Sequence, residues 1–112
     1  MKEVDYEIWN IDELLNAYVN TPDIAESVKV GMEQLFLFLE NNGLLTCSVG
    51  DGHGLVVKRV LRKNDLTAEG KRLGSGPKNA VHRWLGSKGG QKNPPDMRML
   101  EKALAEIRAE EG

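Results

Sequence analysis

The sequence predicts a small α+β domain that is mostly helical and carries one β-hairpin. Three observations support this fold class: apolar residues recur at helical spacing in several segments, two apolar runs flank a glycine-rich turn, and the chain has 112 residues. This length fits a single domain, 1–112. A chain of this size buries roughly two thirds of the surface that it exposes when unfolded, so we expect it to fold unaided.

The first two helices follow from capping residues and apolar periodicity. Asn10 is predicted to cap the first helix, with Glu13 three positions later as the partner in a capping box. A second helix is expected over about 22–41, because Pro22 fits a first turn and Gly43 fits a C-terminal stop. The apolar stripes at helical spacing are Ile11, Leu14, Leu15, Tyr18 and Val19 in the first helix, and Ile24, Val28, Met32, Leu35, Phe36 and Leu39 in the second.

The β-hairpin is predicted between the second helix and the C-terminal part of the chain. Residues 44–49 and 55–62 read as its two strands, and the glycine-rich segment 50–54 reads as its turn. Lys58 and Arg59 interrupt the second strand and point to opposite faces, so this strand cannot be buried on both sides.

Three helices are expected after the hairpin. A short helix covers about 67–73, a second one follows Pro77 and turns Trp84 inward, and the last one follows a loop. Residues 86–95 have the composition of a flexible loop, and 109–112 are expected to fray.

Charge is distributed unevenly along the chain. Residues 1–57 hold two basic and ten acidic side chains, which gives a net charge of -8, although the whole chain carries only -2. Residues 58–92 hold ten basic and two acidic side chains, which gives +8. Either the two parts attract each other within one fold, or the asymmetry serves a charged partner.

Several classes of protein are disfavoured by composition. One cysteine, Cys47, permits no internal disulfide, and two histidines with one cysteine are too few for a four-ligand zinc site. The longest apolar run, 35–39, is far too short to span a membrane. The acidic N-terminus lacks the apolar stretch of a secretory signal. We therefore expect a cytoplasmic protein without metal, cofactor or membrane contact.

Two features imitate catalytic motifs. The glycine-rich segment 50–54 leads into a strand, whereas a phosphate cradle leads into a helix. Cys47, Asp51 and His53 have the residue types of a nucleophile, an orienting group and a base, but neither a pocket nor an oxyanion site accompanies them. The sequence therefore predicts a protein that is not an enzyme.

Six carboxylates are expected on the outward faces of the first two helices. An acidic patch complements a basic protein and speeds their encounter, so these are the predicted partner-binding residues. They are Asp12, Glu13, Asp23, Glu26, Glu33 and Glu40.

The alternative is a nucleic-acid-binding domain that uses the basic segment 58–92. A helix followed by a hairpin also resembles a winged helix, although the carboxylates on the second helix would be repelled by phosphates. Trp84 could stack on bases or anchor the core. The residues of this hypothesis are Lys58, Arg59, Arg62, Lys63, Lys71, Arg72, Lys78 and Arg83. A homo-oligomer that joins acidic and basic faces is a third hypothesis.

Short motifs in the C-terminal segment resemble the tail of small bacterial immunity-type proteins, which are encoded beside polymorphic or contact-dependent toxins. These motifs are Asp65-Leu66-Thr67-Ala68-Glu69-Gly70, Trp84-Leu85, Asp96, Leu100-Glu101-Lys102-Ala103-Leu104 and Arg108. The resemblance implies a stoichiometric binder that blocks a toxin domain, and it assigns no binding residue. The leading hypothesis is thus an immunity-like or accessory protein whose charged surface covers the active site of a partner.

Overall fold

The computed structural model of the chain describes residues 7–74, 79–90 and 95–111. Within these ranges the fold consists of one two-stranded antiparallel sheet, five α-helices and one short 3-10 helix. The predicted α+β class is confirmed. The elements, in chain order, are β1 (Glu7–Asn10), α1 (Ile11–Asn16), α2 (Pro22–Asn41), β2 (Val60–Arg62), the 3-10 helix Lys63–Asp65, α3 (Ala68–Gly74), α4 (Ala80–Leu85) and α5 (Arg98–Glu111).

α1 and α2 start where the capping residues predict, but the predicted capping box is only half formed, because the Glu13 side chain does not accept a hydrogen bond from the Asn10 amide. Asn10 ends β1, and its side-chain oxygen accepts a hydrogen bond from the Glu13 amide at 3.1 Å. This bond satisfies an amide that has no partner within the helix. α2 begins with Pro22 and ends at Asn41, and Gly43 then adopts a φ of 70°, the left-handed conformation that glycine tolerates best.

The sheet does not pair the two predicted strands, 44–49 and 55–62, with each other. β1 pairs with β2 across a register in which Trp9 opposes Leu61, and an irregularity lies between Glu7 and Trp9. The predicted strand 44–49 does not form, because the extended chain at 44–46 bridges to 65–67 instead. This bridge pairs Leu45 with Leu66, and the side chains of Leu44 and Leu66 are both buried in the core.

The glycine-rich turn reverses the chain as predicted, but little pairing extends from it. The Asp51 side chain accepts hydrogen bonds from the amides of His53 and Leu55, and Gly52 and Gly54 adopt φ values of 85° and 90°. A single bridge between Gly50 and Val56 then closes the turn. The predicted hairpin is therefore reduced to its turn.

The core is built around the C-terminal half of α2. Leu35, Phe36 and Leu39 are fully buried, and the Phe36 ring lies 6.3 Å from the ring of Trp9. Trp84 is also fully buried and donates its indole N–H to the Asp96 carbonyl at 2.8 Å. The inward orientation predicted for Trp84 is confirmed.

α3, α4 and α5 pack together beside the end of α2. Gly70 allows α3 to approach the chain after α2, since an added Cβ would lie 2.4 Å from the Leu44 carbonyl oxygen. Arg108 of α5 donates to the Asn42 carbonyl at 2.6 Å. Within the predicted loop 86–95, residues 86–90 form hydrogen-bonded turns, while 91–94 lie outside the described residues. The predicted frayed tail is helical as far as Glu111.

Candidate functional site

The structure divides the six predicted partner-binding carboxylates into two groups. Asp12 and Glu33 belong to the first group, because both accept hydrogen bonds from the Arg59 guanidinium, at 2.8 and 3.0 Å. Burial lowers the pKa of Arg59, but the hydrogen bonds to the two carboxylates outweigh this effect and raise the pKa above its ordinary value. This triad joins α1, α2 and the segment before β2, so these two carboxylates hold the fold together.

Glu40 belongs to the same group, because it anchors a loop. Its carboxylate accepts hydrogen bonds from the amides of Val49 and Gly50, at 2.6 and 3.2 Å. A carboxylate that accepts two backbone amides is already satisfied by the fold. Glu40 is therefore a structural residue and contributes little to a surface for a partner.

Glu13, Asp23 and Glu26 form the second group. All three side chains are exposed, and none forms an ion pair with another of the described residues. Glu13 lies in the first turn of α1, and Asp23 lies in the first turn of α2. The acidic surface is thus smaller than predicted and is concentrated at the N-terminal ends of two neighbouring helices.

An apolar groove lies between these two helix ends. Its first part has a volume of about 560 Å³ and is lined by residues that include Leu14, Tyr18, Ile24, Val28, Met32 and Leu85. Its second part, of about 520 Å³, shares Leu14, Met32 and Leu85 with the first and extends to Trp9 of β1. We call the two joined parts the α1–α2 groove.

Exposed carboxylates line both parts of the groove. Asp23 borders the first part, and Glu7 and Glu13 border the second. No lysine or arginine of the described chain lines either part. The groove therefore combines an apolar floor with an anionic rim.

Apolar side chains inside the groove are incompletely covered. Leu14 is 36% exposed and Ile24 is 50% exposed, although both belong to stripes that the sequence predicts to be buried. Sequence reasoning identified both residues but assigned them to the core. No local signal in the sequence separates these two residues from the buried members of the same stripes, because their exposure depends on which elements pack against α1 and the start of α2.

At least three of the eight basic residues of the alternative hypothesis form ion pairs with carboxylates of the chain. Lys58 lies 3.8 Å from Asp65, Arg59 forms the triad, and Arg72 forms an ion pair with Glu110. Arg62, Lys63 and Lys71 have interaction partners as well. Arg83 is exposed, and Lys78 lies outside the described residues.

Two further observations bear on nucleic-acid binding. Trp84 is buried, which excludes it as a surface on which bases stack. The predicted wing is reduced to a turn, so the resemblance to a winged helix loses its second element.

The segment 47–54, which has the residue types of a catalytic site, holds a cysteine that is not activated as a nucleophile. Burial raises the pKa of the Cys47 thiol above its ordinary value, and the neighbouring Asp65 carboxylate adds to this rise. A raised pKa keeps the thiol protonated, whereas nucleophilic cysteines have lowered pKa values.

In the ranges 7–74, 79–90 and 95–111, no three His, Cys, Asp or Glu side chains are grouped so that they could hold a metal ion. Among the helices in these ranges, none is both long and apolar enough to cross a membrane.

No protein-family model, no curated protein and no solved structure matches the chain. The resemblance to immunity-type proteins therefore stays a prediction.

Proposed function

We propose that this chain is a non-enzymatic binding domain that docks a basic protein partner in the α1–α2 groove. The observation that carries this proposal is the combination of a partly uncovered apolar floor with carboxylates in both parts of the groove that form no ion pair with another described residue. Apolar surface supplies affinity when it is covered, and rim charges of one sign speed the encounter with the opposite sign. Occlusion of the partner's active site, as in immunity-type proteins, is the mechanism we propose for its effect.

The distribution of ion pairs favours an acidic docking surface over a basic one. Lys58, Arg72 and Arg108 each form an ion pair with a carboxylate from the same C-terminal half of the chain. Glu13, Asp23 and Glu26 have no such partners among the described residues. An unpaired charge keeps its long-range field, which steers association at low salt.

The proposal is tested by crosslinking from two positions. A photo-crosslinking residue replaces Ile24 in the groove or Leu55, which is 66% exposed and lines neither part of the groove. The tagged chain is incubated with extract of its source cells at low salt, with and without nuclease. We expect one protein to crosslink at position 24 and not at position 55, independently of nuclease.

Matched charge variants decide whether the rim matters. Glu13→Lys with Asp23→Lys should abolish this crosslink at low salt. Glu101→Lys with Glu106→Lys applies the same charge change to α5, where Glu101 also lies in a first helical turn, and should leave the crosslink intact. Equal crosslinking by both double variants, or a complex that nuclease removes, would contradict the proposal.

A further inference from the structure

The dimensions of the α1–α2 groove restrict what can fill it. The residues of α2 that line its first part run from Asp23 to Met32. At 1.5 Å per residue this stretch of helix is about 14 Å long, which corresponds to about two and a half turns of a second helix laid beside it. A docked segment of that length can present two or three apolar side chains to the groove.

The chemistry of the lining favours a helical segment over an extended one. The groove offers mainly apolar side chains from helices, and Ser27 and Tyr18 are among its few uncharged polar groups. An extended segment would turn backbone N–H and C=O groups towards this lining, where they would find few partners. A helix satisfies these groups within itself, so it can be buried at lower cost.

The carboxylates that line the groove determine which charges the docked segment can carry. Asp23 lines the first part of the groove, and Glu7 and Glu13 line the second part. Lysines or arginines at both ends of a docked helix would meet these carboxylates without being buried in the apolar floor. Negative side chains at the same places would be repelled.

We infer that the groove receives a basic amphipathic helix of the partner protein, with apolar residues on one face and cations towards both ends. This inference rests on the proposed function, because it describes the segment through which the partner docks. Helices that bind in this way place apolar anchors at spacings of three, four and seven residues.

The test uses three labelled peptides of about 14 residues each. The first has leucines at helical spacing and lysines at both ends. The second replaces the lysines by glutamates, and the third replaces two central residues by proline, which breaks a helix. Binding to the full chain is measured by fluorescence anisotropy at low salt and at about 0.5 M salt.

We expect the first peptide to bind with a micromolar dissociation constant and to bind about tenfold more weakly at the higher salt. The glutamate and proline peptides should each bind at least about tenfold more weakly. Ile24→Gln should weaken the first peptide about tenfold, whereas the matched surface change Leu55→Gln should leave its affinity unchanged. Circular dichroism of both variants verifies that they remain folded.

Some results would overturn the inference. If the proline peptide bound as tightly as the first peptide, the occupant of the groove would be an extended segment. If the glutamate peptide bound as tightly as the first peptide, the carboxylates of the rim would not contribute to binding. Sedimentation of the chain alone as a dimer that Ile24→Gln dissociates would identify a second copy as the occupant. If the peptides fail while a cellular protein still crosslinks at position 24, the helix inference falls and the proposed function stands; if that crosslink is absent too, both fall.

Discussion

The two halves of α2 carry one continuous apolar stripe, yet only the second half is covered. Met32, Phe36 and Leu39 are at most 2% exposed, because β1, the segment after α2 and the C-terminal helices surround them. In the first half, Ile24 is 50% exposed and Val28 is only partly buried. The same periodicity therefore encodes a core in one half and an uncovered surface in the other.

The carboxylates of α2 show the same division. Glu33 and Glu40 in the second half are bound by Arg59 and by two backbone amides. Asp23 and Glu26 in the first half have no ion-pair partner among the described residues. A charge or an apolar side chain is thus assigned to fold or to surface by its tertiary neighbours and not by its place in the helical repeat.

Truncation of one apolar side chain in each half tests this division with the largest expected effect. Phe36→Ala should lower the free energy of unfolding by about 3–5 kcal/mol, because it removes a fully buried ring and leaves a cavity beside Trp9. Ile24→Ala should lower it by less than about 1 kcal/mol. Urea unfolding measures both changes. Comparable losses in the two variants would show that Ile24 is part of the core.

Removal of the ion triad should have the next largest effect. Arg59→Met leaves Glu33 without its partner, and the Glu33 side chain is only 26% exposed. We expect a loss of about 2–3 kcal/mol, since hydrogen bonds to charged groups contribute more than neutral ones. Arg72→Met is the matched control, because its ion pair with Glu110 is more exposed and should contribute less than about 1 kcal/mol. A loss at Arg72 as large as the loss at Arg59 would contradict a structural role for the triad.

Local signals in the sequence predicted the helices well. The cap at Asn10, the start of α2 at Pro22 and the inward face of α4 at Trp84 all depend on neighbours within one or two turns. The strand pairing was predicted wrongly, although β2 lies within the predicted strand 55–62. Pairing between β1 and β2 joins residues about fifty positions apart and is decided by the assembled core.

The candidate site was predicted in part. Glu13 and Asp23 were named from their charge, and the structure places both on the rim of the α1–α2 groove. Asp12, Glu33 and Glu40 were named for the same reason, but their partners Arg59, Val49 and Gly50 are remote in the chain. No local pattern distinguishes a carboxylate that finds such a partner from one that does not.

Removal of one carboxylate from each half of α2 should give a smaller difference in stability. Glu40→Ala leaves the amides of Val49 and Gly50 without their acceptor and should cost about 1–2 kcal/mol of unfolding free energy. Glu26→Ala removes an exposed carboxylate and introduces a better helix former, so stability should stay the same or rise slightly. Thermal unfolding of the two variants measures the difference. Equal stabilities would mean that Glu40 does not anchor the loop.

The smallest expected effect concerns Cys47, whose side chain is partly buried and packs against the hydrophobic core. Because burial raises the pKa of this thiol above its ordinary value of 9.0, folding favours the protonated form. Its contribution to stability is therefore present below that value and is lost as pH rises through the higher pKa of the folded state.

At neutral pH, a thiol reagent should modify Cys47 more slowly in the folded chain than in urea. Glu40→Ala should speed this modification, because it releases the loop that follows Cys47, whereas Glu26→Ala should not. A rate that is equally high in all three folded proteins would show that the loop is open even with Glu40 in place, and the contrast between the carboxylates of the two halves of α2 would then rest on Glu33 alone.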